Sequence, residues 1–216
     1  ARRFLRVGRG LMPAHSWRDH YQLMRDLTMA LVQSENLCAN VDAARQLSDE
    51  LQEKAQDIYD KVEVCEFQME LYQSRQQIPE ALAIGLDALS ILGVELPREP
   101  AAQAARSQEL LEKLDLDNIP IETLEALPEL TDPHQLAILR LLERSMPSAL
   151  YIAPELHQLM VLRGVEICMR DGNSSLAAAI YMQHACELSK STQSLDLALR
   201  LGAMAMGLLQ RFPDVA

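Results

Sequence analysis

Apolar residues in this chain recur in alternating steps of four and three, the spacing of one face of an α-helix. From Ile58 the series runs Val62, Cys65, Met69, Tyr72, and from Ile78 it runs Leu82, Gly85, Leu89, Leu92. Beside the second series lies another stripe, Ala81, Ile84, Ala88 and Ile91, so that helix is expected to be covered on two sides. Leu23, Leu27, Ala30 and Leu37 mark an earlier helix, and Ala44, Leu47 and Leu51 a shorter one after it. A chain patterned this way throughout can close its core only by packing helix on helix. Composition points the same way. Eight glycines and 4% aromatic residues are too few for a sandwich, a barrel or a Rossmann fold with glycine-rich turns, while 49% hydrophobic residues are ample for a core of Leu, Ala, Met, Ile and Val.

Breaks between the helices are legible. Asn40-Val41-Asp42 separates two of them, with Asp42 placed to cap the next. Gln76-Gln77-Ile78-Pro79, Asp132-Pro133-His134-Gln135 and Ala153-Pro154-Glu155 read as helix starts, each with proline in the first turn. Asp171-Gly172-Asn173-Ser174 reads as a stop, because Gly172 tolerates positive φ. Between Val94 and Asp132 the pattern changes: Pro97, Pro100, Pro120 and Pro128 interrupt it, leaving room for one helix over 101–114 and a helical turn over 121–126. The expected organisation is N-terminal helical repeats over 1–93, whose first helix ends a truncated repeat. A Pro-rich connector follows over 94–132 and C-terminal repeats over 133–216, all in one continuous domain.

The chain also resembles itself. A shift of 37 residues carries Asn40–Leu51 onto Gln77–Ala88, so that Ala44 meets Ala81, Leu47 meets Ile84 and Leu51 meets Ala88. A shift of 117 carries Ile78–Leu92 onto Leu195–Leu209, pairing Ala81 with Ala198, Leu82 with Leu199, Gly85 with Gly202, and Ala88 with Ala205. Small residues at such positions let helix axes approach closely while aliphatic residues fill between layers. The expected fold is all-α, a right-handed superhelix of antiparallel helix pairs, tetratricopeptide-like although the strict consensus is not met.

The order of the motifs is similar to that of a known group. It is carried by Ala81-Leu82-x-x-Gly85-Leu86-x-x-Leu89-x-x-Leu92-Gly93-Val94-x-Leu96-Pro97, then Leu127-Pro128-x-Leu130-Thr131-Asp132-Pro133. Ala149-Leu150-Tyr151-Ile152-Ala153-Pro154-Glu155-Leu156 and Gly172-Asn173-Ser174 follow. From about Trp17 to Phe212 the chain resembles the helical-repeat region of large bacterial hybrid signalling proteins. The resemblance implies neighbours in the same protein: a serine/threonine kinase and a signal-transduction ATPase before the repeats, GAF and histidine-kinase domains after them. It implies a linker and sensor region, not a catalytic one, and a partner set made of those flanking ATPase and sensor-kinase domains.

Charge and cysteine usage bound the function further. Lys plus Arg number 20 against 31 Asp plus Glu, a formal net charge of −11, which argues against nucleic-acid binding through phosphate contacts. Cys38, Cys65, Cys168 and Cys186 form no CxxC pair and suit buried thiols in a reducing cytoplasm. Apolar stretches are cut by charge well short of the roughly 20 residues a membrane span needs. Arg2-Arg3-Phe4-Leu5-Arg6 hints at a twin-arginine signal, but Val7-Gly8-Arg9-Gly10 follows instead of an apolar stretch. The chain, lacking an initial Met, reads as a piece of something longer.

No catalytic, cofactor-binding or metal-binding residue is expected. A phosphate-loop motif is absent, as are the protein-kinase signatures. His15, His20, His134, His157 and His184 are each followed by a non-acidic residue, unlike a histidine-kinase phosphoacceptor. His184 and Cys186 lie two apart, about 200° around a helix, and with Cys168 read as small buried thiols and a partly exposed imidazole. Arg2, Arg3, Arg6 and Arg9 form a basic face, read as the outer side of the first helix with Phe4, Leu5 and Leu11 facing the array. The alternative is an anionic partner, either a nucleotide-bound neighbouring domain or a lipid surface. Met204 and Met206 read as core fillers, and Glu63, Glu66 and Glu70 as a solvated face. The function expected is therefore a non-catalytic interaction and signal-relay segment. The alternatives are a superhelix that senses a small-molecule effector and regulates an adjacent ATPase, or a free-standing protein-binding adaptor.

Overall fold

A computed structural model describes residues 1–13 and 15–212; the short C-terminal tail lies outside them. The elements are α1 (Arg2–Gly10), α2 (Ser16–Asp19), α3 (Tyr21–Leu37), α4 (Val41–Lys54), α5 (Ile58–Ser74) and α6 (Ile78–Ile91). They continue with α7 (Pro100–Leu114), α8 (Ile121–Glu125), α9 (Pro133–Ile152), α10 (Pro154–Asp171), α11 (Ser175–Leu188) and α12 (Leu195–Arg211). Single 3-10 turns sit at Leu116–Asn118 and Thr192–Ser194, and no strand occurs among the described residues.

Local sequence explains most of the boundaries. Asp132 accepts a hydrogen bond from the His134 backbone N–H at 2.9 Å, and Pro133 opens α9. Pro79, Pro100 and Pro154 likewise sit in the first turns of α6, α7 and α10, where the missing N–H costs nothing. Gly172 ends α10 at φ +117. Asp42 does not cap α4. The residue before the helix is Asn40, with no side-chain cap, and Asp42 lies inside the first turn, where its charge still favours the helix dipole. Asp57 makes a cap that the pattern did not single out, accepting from the Asp60 N–H at 2.8 Å.

Sequential helices pack as neighbours: α3 on α4, α5 on α6, α9 on α10 and α11 on α12. The connector does not separate the pairs. Helix α9 packs on both α5 and α6, while α7 lies against α10 and α8 against α12. Connector residues Val94, Leu110, Leu114, Leu116, Ile121, Leu124 and Leu130 belong to one continuous apolar core with α5, α6 and α9 to α12. A smaller core joins Leu31, Val32, Ala44, Leu47, Leu51, Val64 and Leu71. Helix α5 is the wall between them: Val62, Cys65 and Met69 face the larger core, Val64 and Leu71 the smaller. This explains its apolar residues on more than one face.

The α6–α9 crossing depends on Gly85. A Cβ at this position would collide with Ser145 Oγ of α9 and come within 2.9 Å of Met69 Cε. Only a residue without a side chain lets these axes approach so closely.

Candidate functional site

Helix α1 carries the basic face, and it faces inward. Arg6 Nε donates to Glu35 Oε1 at 2.5 Å, Arg2 lies 3.7 Å from the same carboxylate, and Arg9 pairs with Glu50 and donates to Thr28 at 3.3 Å. Trp17 Nε1 completes the set with a 2.9 Å bond to Glu50. This corrects the expected orientation. Phe4 and Leu11 are 81% and 77% exposed, and only Leu5 touches the smaller core. The reason is local complementarity: α3 presents the buried Glu35 to α1, and a buried carboxylate demands charged partners. Burial alone would raise the Glu35 carboxyl, but bonds from Arg6 and Asn40 and the Arg2 charge hold it below the usual range. The guanidiniums of Arg2, Arg6 and Arg9 are thereby occupied, and Arg3 is left as the exposed cation of this helix, with no ion pair among the described residues. Between α1, α3 and α4 lies an open concavity of about 620 Å³, lined by Trp17, Met24, Leu31, Leu47 and these ion pairs.

At the other end, α12 splits into two faces. Ala198, Leu201, Ala205 and Leu208 are buried, as their counterparts Ala81 and Ala88 are in α6. The second stripe behaves differently in the two helices. Leu82, Gly85 and Leu89 of α6, and Leu92 just past its end, are buried, with α9 packed on that helix. Their counterparts Leu199, Met206 and Leu209 are exposed, Leu199 at 67% against 6% for Leu82. A Cβ on Gly202 would meet nothing within 4 Å, where one on Gly85 would collide. Leu195 and Leu209, both about half exposed, extend this face along the helix, and a concavity of about 350 Å³ lined by Leu176, Ala179, Met182 and Leu209 lies beside it. Ala44, the first of the repeat positions, is fully buried between α3 and α4. Met204 fills the core as expected, but Met206 stands on the exposed stripe.

Two of the sequence motifs meet in space. Asn173 N–H donates to Pro128 O at 2.8 Å, its carbonyl accepts from Leu130 N–H at 2.7 Å, and its buried side-chain amide donates to Leu124 O at 2.7 Å. Gly172 makes this possible, since its φ is positive and a Cβ there would strike Pro128 O. Arg211 of α12 donates to the carbonyls of Glu125 and Leu127, holding the same segment from the other side. The sequence marked Gly172-Asn173-Ser174 as a stop and as part of the motif order, without placing it against Pro128 and Leu130. The clamp depends on contacts 49 residues apart, which no local pattern reports.

The remaining singled-out residues do not converge. Glu66 is buried against Arg140 of α9 at 2.6 Å, so the expected solvated acidic face holds only for Glu63 and Glu70, and Glu63 pairs with Arg25. His184 is 3% exposed, not partly exposed, and burial pushes its pKa down to about 4. His157 is buried too and also lowered by burial, with Glu187 at 3.4 Å opposing the shift. Cys65 and Cys168 are buried, Cys168 with its thiol pushed up to about 12, but Cys38 and Cys186 are exposed. His15 lies 3.6 Å from Asp19, and His134 sits edge-on to Tyr59. No group of three His, Cys, Asp or Glu side chains suited to a metal converges among the described residues, and no helix among them is long and apolar enough to cross a membrane.

The chain matches no protein-family model, no curated protein and no solved structure with which it was compared. The functional reading therefore rests on the two ends of the helix array and on the motif order.

Proposed function

We propose that this chain is a non-catalytic helical-repeat segment that relays signals by protein–protein contact. In this reading the packed pairs form a right-handed, tetratricopeptide-like superhelix in the cytoplasm. It couples an upstream signal-transduction ATPase to downstream sensor and histidine-kinase domains of one multidomain protein. The observation that carries the reading is the α12 stripe. Leu199, Gly202, Met206 and Leu209 repeat the spacing that α6 uses to seat α9, yet no helix among the described residues covers them. An apolar face of that kind, next to a core built from the same repeat, suits a helical neighbour. Relay through such a stack is physically simple, because each pair contacts mainly its neighbours and a small change at one end shifts the next contact.

The test is binding to the adjoining domains encoded in the same reading frame, measured by calorimetry with and without nucleotide. The wild-type chain should bind at least one neighbour. Leu199→Glu with Met206→Glu should abolish that binding and leave far-UV circular dichroism and thermal stability unchanged. Failure to bind either neighbour under any nucleotide condition would overturn the proposal.

A second reading, effector sensing, is favoured by the concavity beneath α1. Its volume of about 620 Å³ lies in the range of small-molecule sites, and Trp17 with its charged rim would suit a polar metabolite such as a sugar. A ligand bound there would raise the unfolding temperature in a thermal-shift screen, and no response to any sugar or metabolite would set this reading aside.

A further inference from the structure

The first and last helices each present an uncovered apolar stripe. On α1, which packs on α3, Phe4, Val7 and Leu11 are exposed in steps of three and four. On α12, which packs on α11 and α8, the exposed stripe is Leu195, Leu199, Met206 and Leu209 around Gly202. Each stripe has a gap in it, since a Cβ on Gly10 or on Gly202 would meet nothing within 4 Å. Within one copy the stripes stand apart. Leu5 of α1 packs on the smaller core, Leu201 and Leu208 of α12 lie in the larger, and α5 separates the two.

The rims of the stripes are oppositely charged. Helix α1 carries four arginines and no acid. Arg2, Arg6 and Arg9 are held by Glu35 and Glu50, which leaves Arg3 at the edge of the Phe4, Val7 and Leu11 stripe. At the edge of the α12 stripe stands Asp196, its side chain 88% exposed and no closer than 3.8 Å to Arg200. The winding of the helix fixes how these two can meet. At 100° per residue, Arg3 lies roughly 75° before the centre of its stripe and Asp196 roughly 100° after the centre of its own. Edges displaced in opposite senses fall on the same side of a contact only when the two helices run parallel. With Arg3 level with Asp196, Phe4 falls between Leu195 and Leu199, and Val7 and Leu11 fall on either side of Gly202. The open glycine then lets the axes approach, as Gly85 does for α6 and α9.

We propose that the occupant of the α12 stripe is a second copy of this chain, whose α1 lies parallel on it, head to tail. Two α1 faces would set cation beside cation, and two α12 faces would leave Asp196 beside its own kind. Because the two faces differ, the contact is heterologous, and each added copy offers a new free end. One short helix on one stripe is a small interface, so the contact is transient, with a Kd of about 100 μM. The proposal does not rest on the relay reading. A neighbouring domain and a second copy compete for the same stripe, so a bound neighbour caps the stack.

The test is sedimentation of the 216-residue chain over a range of concentrations. The average mass should rise with concentration and pass that of a dimer. Val7→Glu and Leu199→Glu alter exposed positions outside both cores, so each variant should keep its circular dichroism while losing self-association. An equimolar mixture of the two should form a one-to-one dimer and stop there, since one variant keeps the α12 stripe and the other keeps α1. Arg3→Glu or Asp196→Arg alone should weaken association about threefold, and the two together should restore it. Three results would each overturn the proposal. One is a wild-type chain that stays monomeric to about 1 mM. Another is self-association kept by either single variant, the mark of a two-fold contact through one end. The third is a pair of monomeric variants that fail to combine on mixing. A chain that never self-associates but floats with phosphatidylserine vesicles would give α1 to a membrane surface instead. One that never self-associates but binds an adjoining domain would leave the relay reading standing without this one.

Discussion

Lowering the pH from 7 to 5 should destabilise this protein through His184. Burial among the α7, α11 and α12 side chains holds its imidazole neutral in the folded state, with a pKa of about 4 against an ordinary 6.5, while Glu187 and Asp117 only partly oppose the shift. Because the folded-state value is the lower one, the unfolded chain binds the extra proton first. Stability is therefore full above the unfolded value and is lost as the pH falls from about 6.5 towards 4. Integrating the difference gives a loss of about 2 kcal/mol at pH 5 and about 3 kcal/mol at pH 4, relative to pH 7. Below about pH 4 both states are protonated and the loss levels off. Urea unfolding followed by circular dichroism at each pH measures the effect. His184→Leu supplies the reference, since it keeps an aliphatic volume and removes the titrating group. His157, Glu35 and Glu166 are present in both proteins and cancel in the comparison. The stability difference between wild type and His184→Leu should shift by about 2 kcal/mol in favour of the variant between pH 7 and pH 5. Two parallel curves over that range would refute the claim that His184 is buried in its neutral form.

Other consequences follow from single contacts. Gly85→Ala should cost about 1–3 kcal/mol by forcing Ser145 and Met69 apart, whereas Gly202→Ala, its repeat counterpart in open space, should be neutral or add about 0.5–1 kcal/mol of helix propensity. Equal effects in thermal unfolding would show that α12 is covered on that face. Asn173→Ala removes the buried amide bond to Leu124 and should cost about 1–3 kcal/mol, visible as faster hydrogen exchange over 121–130; unchanged exchange there would mean that the clamp is held by Arg211 and the backbone bonds alone. With a thiol reagent at neutral pH the folded chain should label rapidly at Cys38 and Cys186 and slowly at Cys65 and Cys168. Rapid labelling of Cys168, read by peptide mass spectrometry, would contradict its burial against α11.

What the sequence determined by itself was local. Periodicity placed the helices, since a stripe at steps of three and four specifies one face whatever lies opposite it. Proline in the first turn and Gly172 at the end marked where they start and stop, because these residues act through their own φ. The internal shift of 117 residues found the two stripes shared by α6 and α12. Tertiary structure alone decided which faces were covered. Arg2, Arg6 and Arg9 turn inward because Glu35 and Glu50 wait on helices tens of residues away, and a helix rotates towards whichever face lowers its energy most. Glu66 is buried because Arg140 reaches it across 74 residues, although its own helix marks it as a surface position. His184 is buried and Cys186 exposed on one helix because α7 and the connector close over one side only. Leu82 and Leu199 are matched by the shift of 117 residues, yet one is core and the other surface, because burial belongs to the pair of helices in contact and not to either sequence.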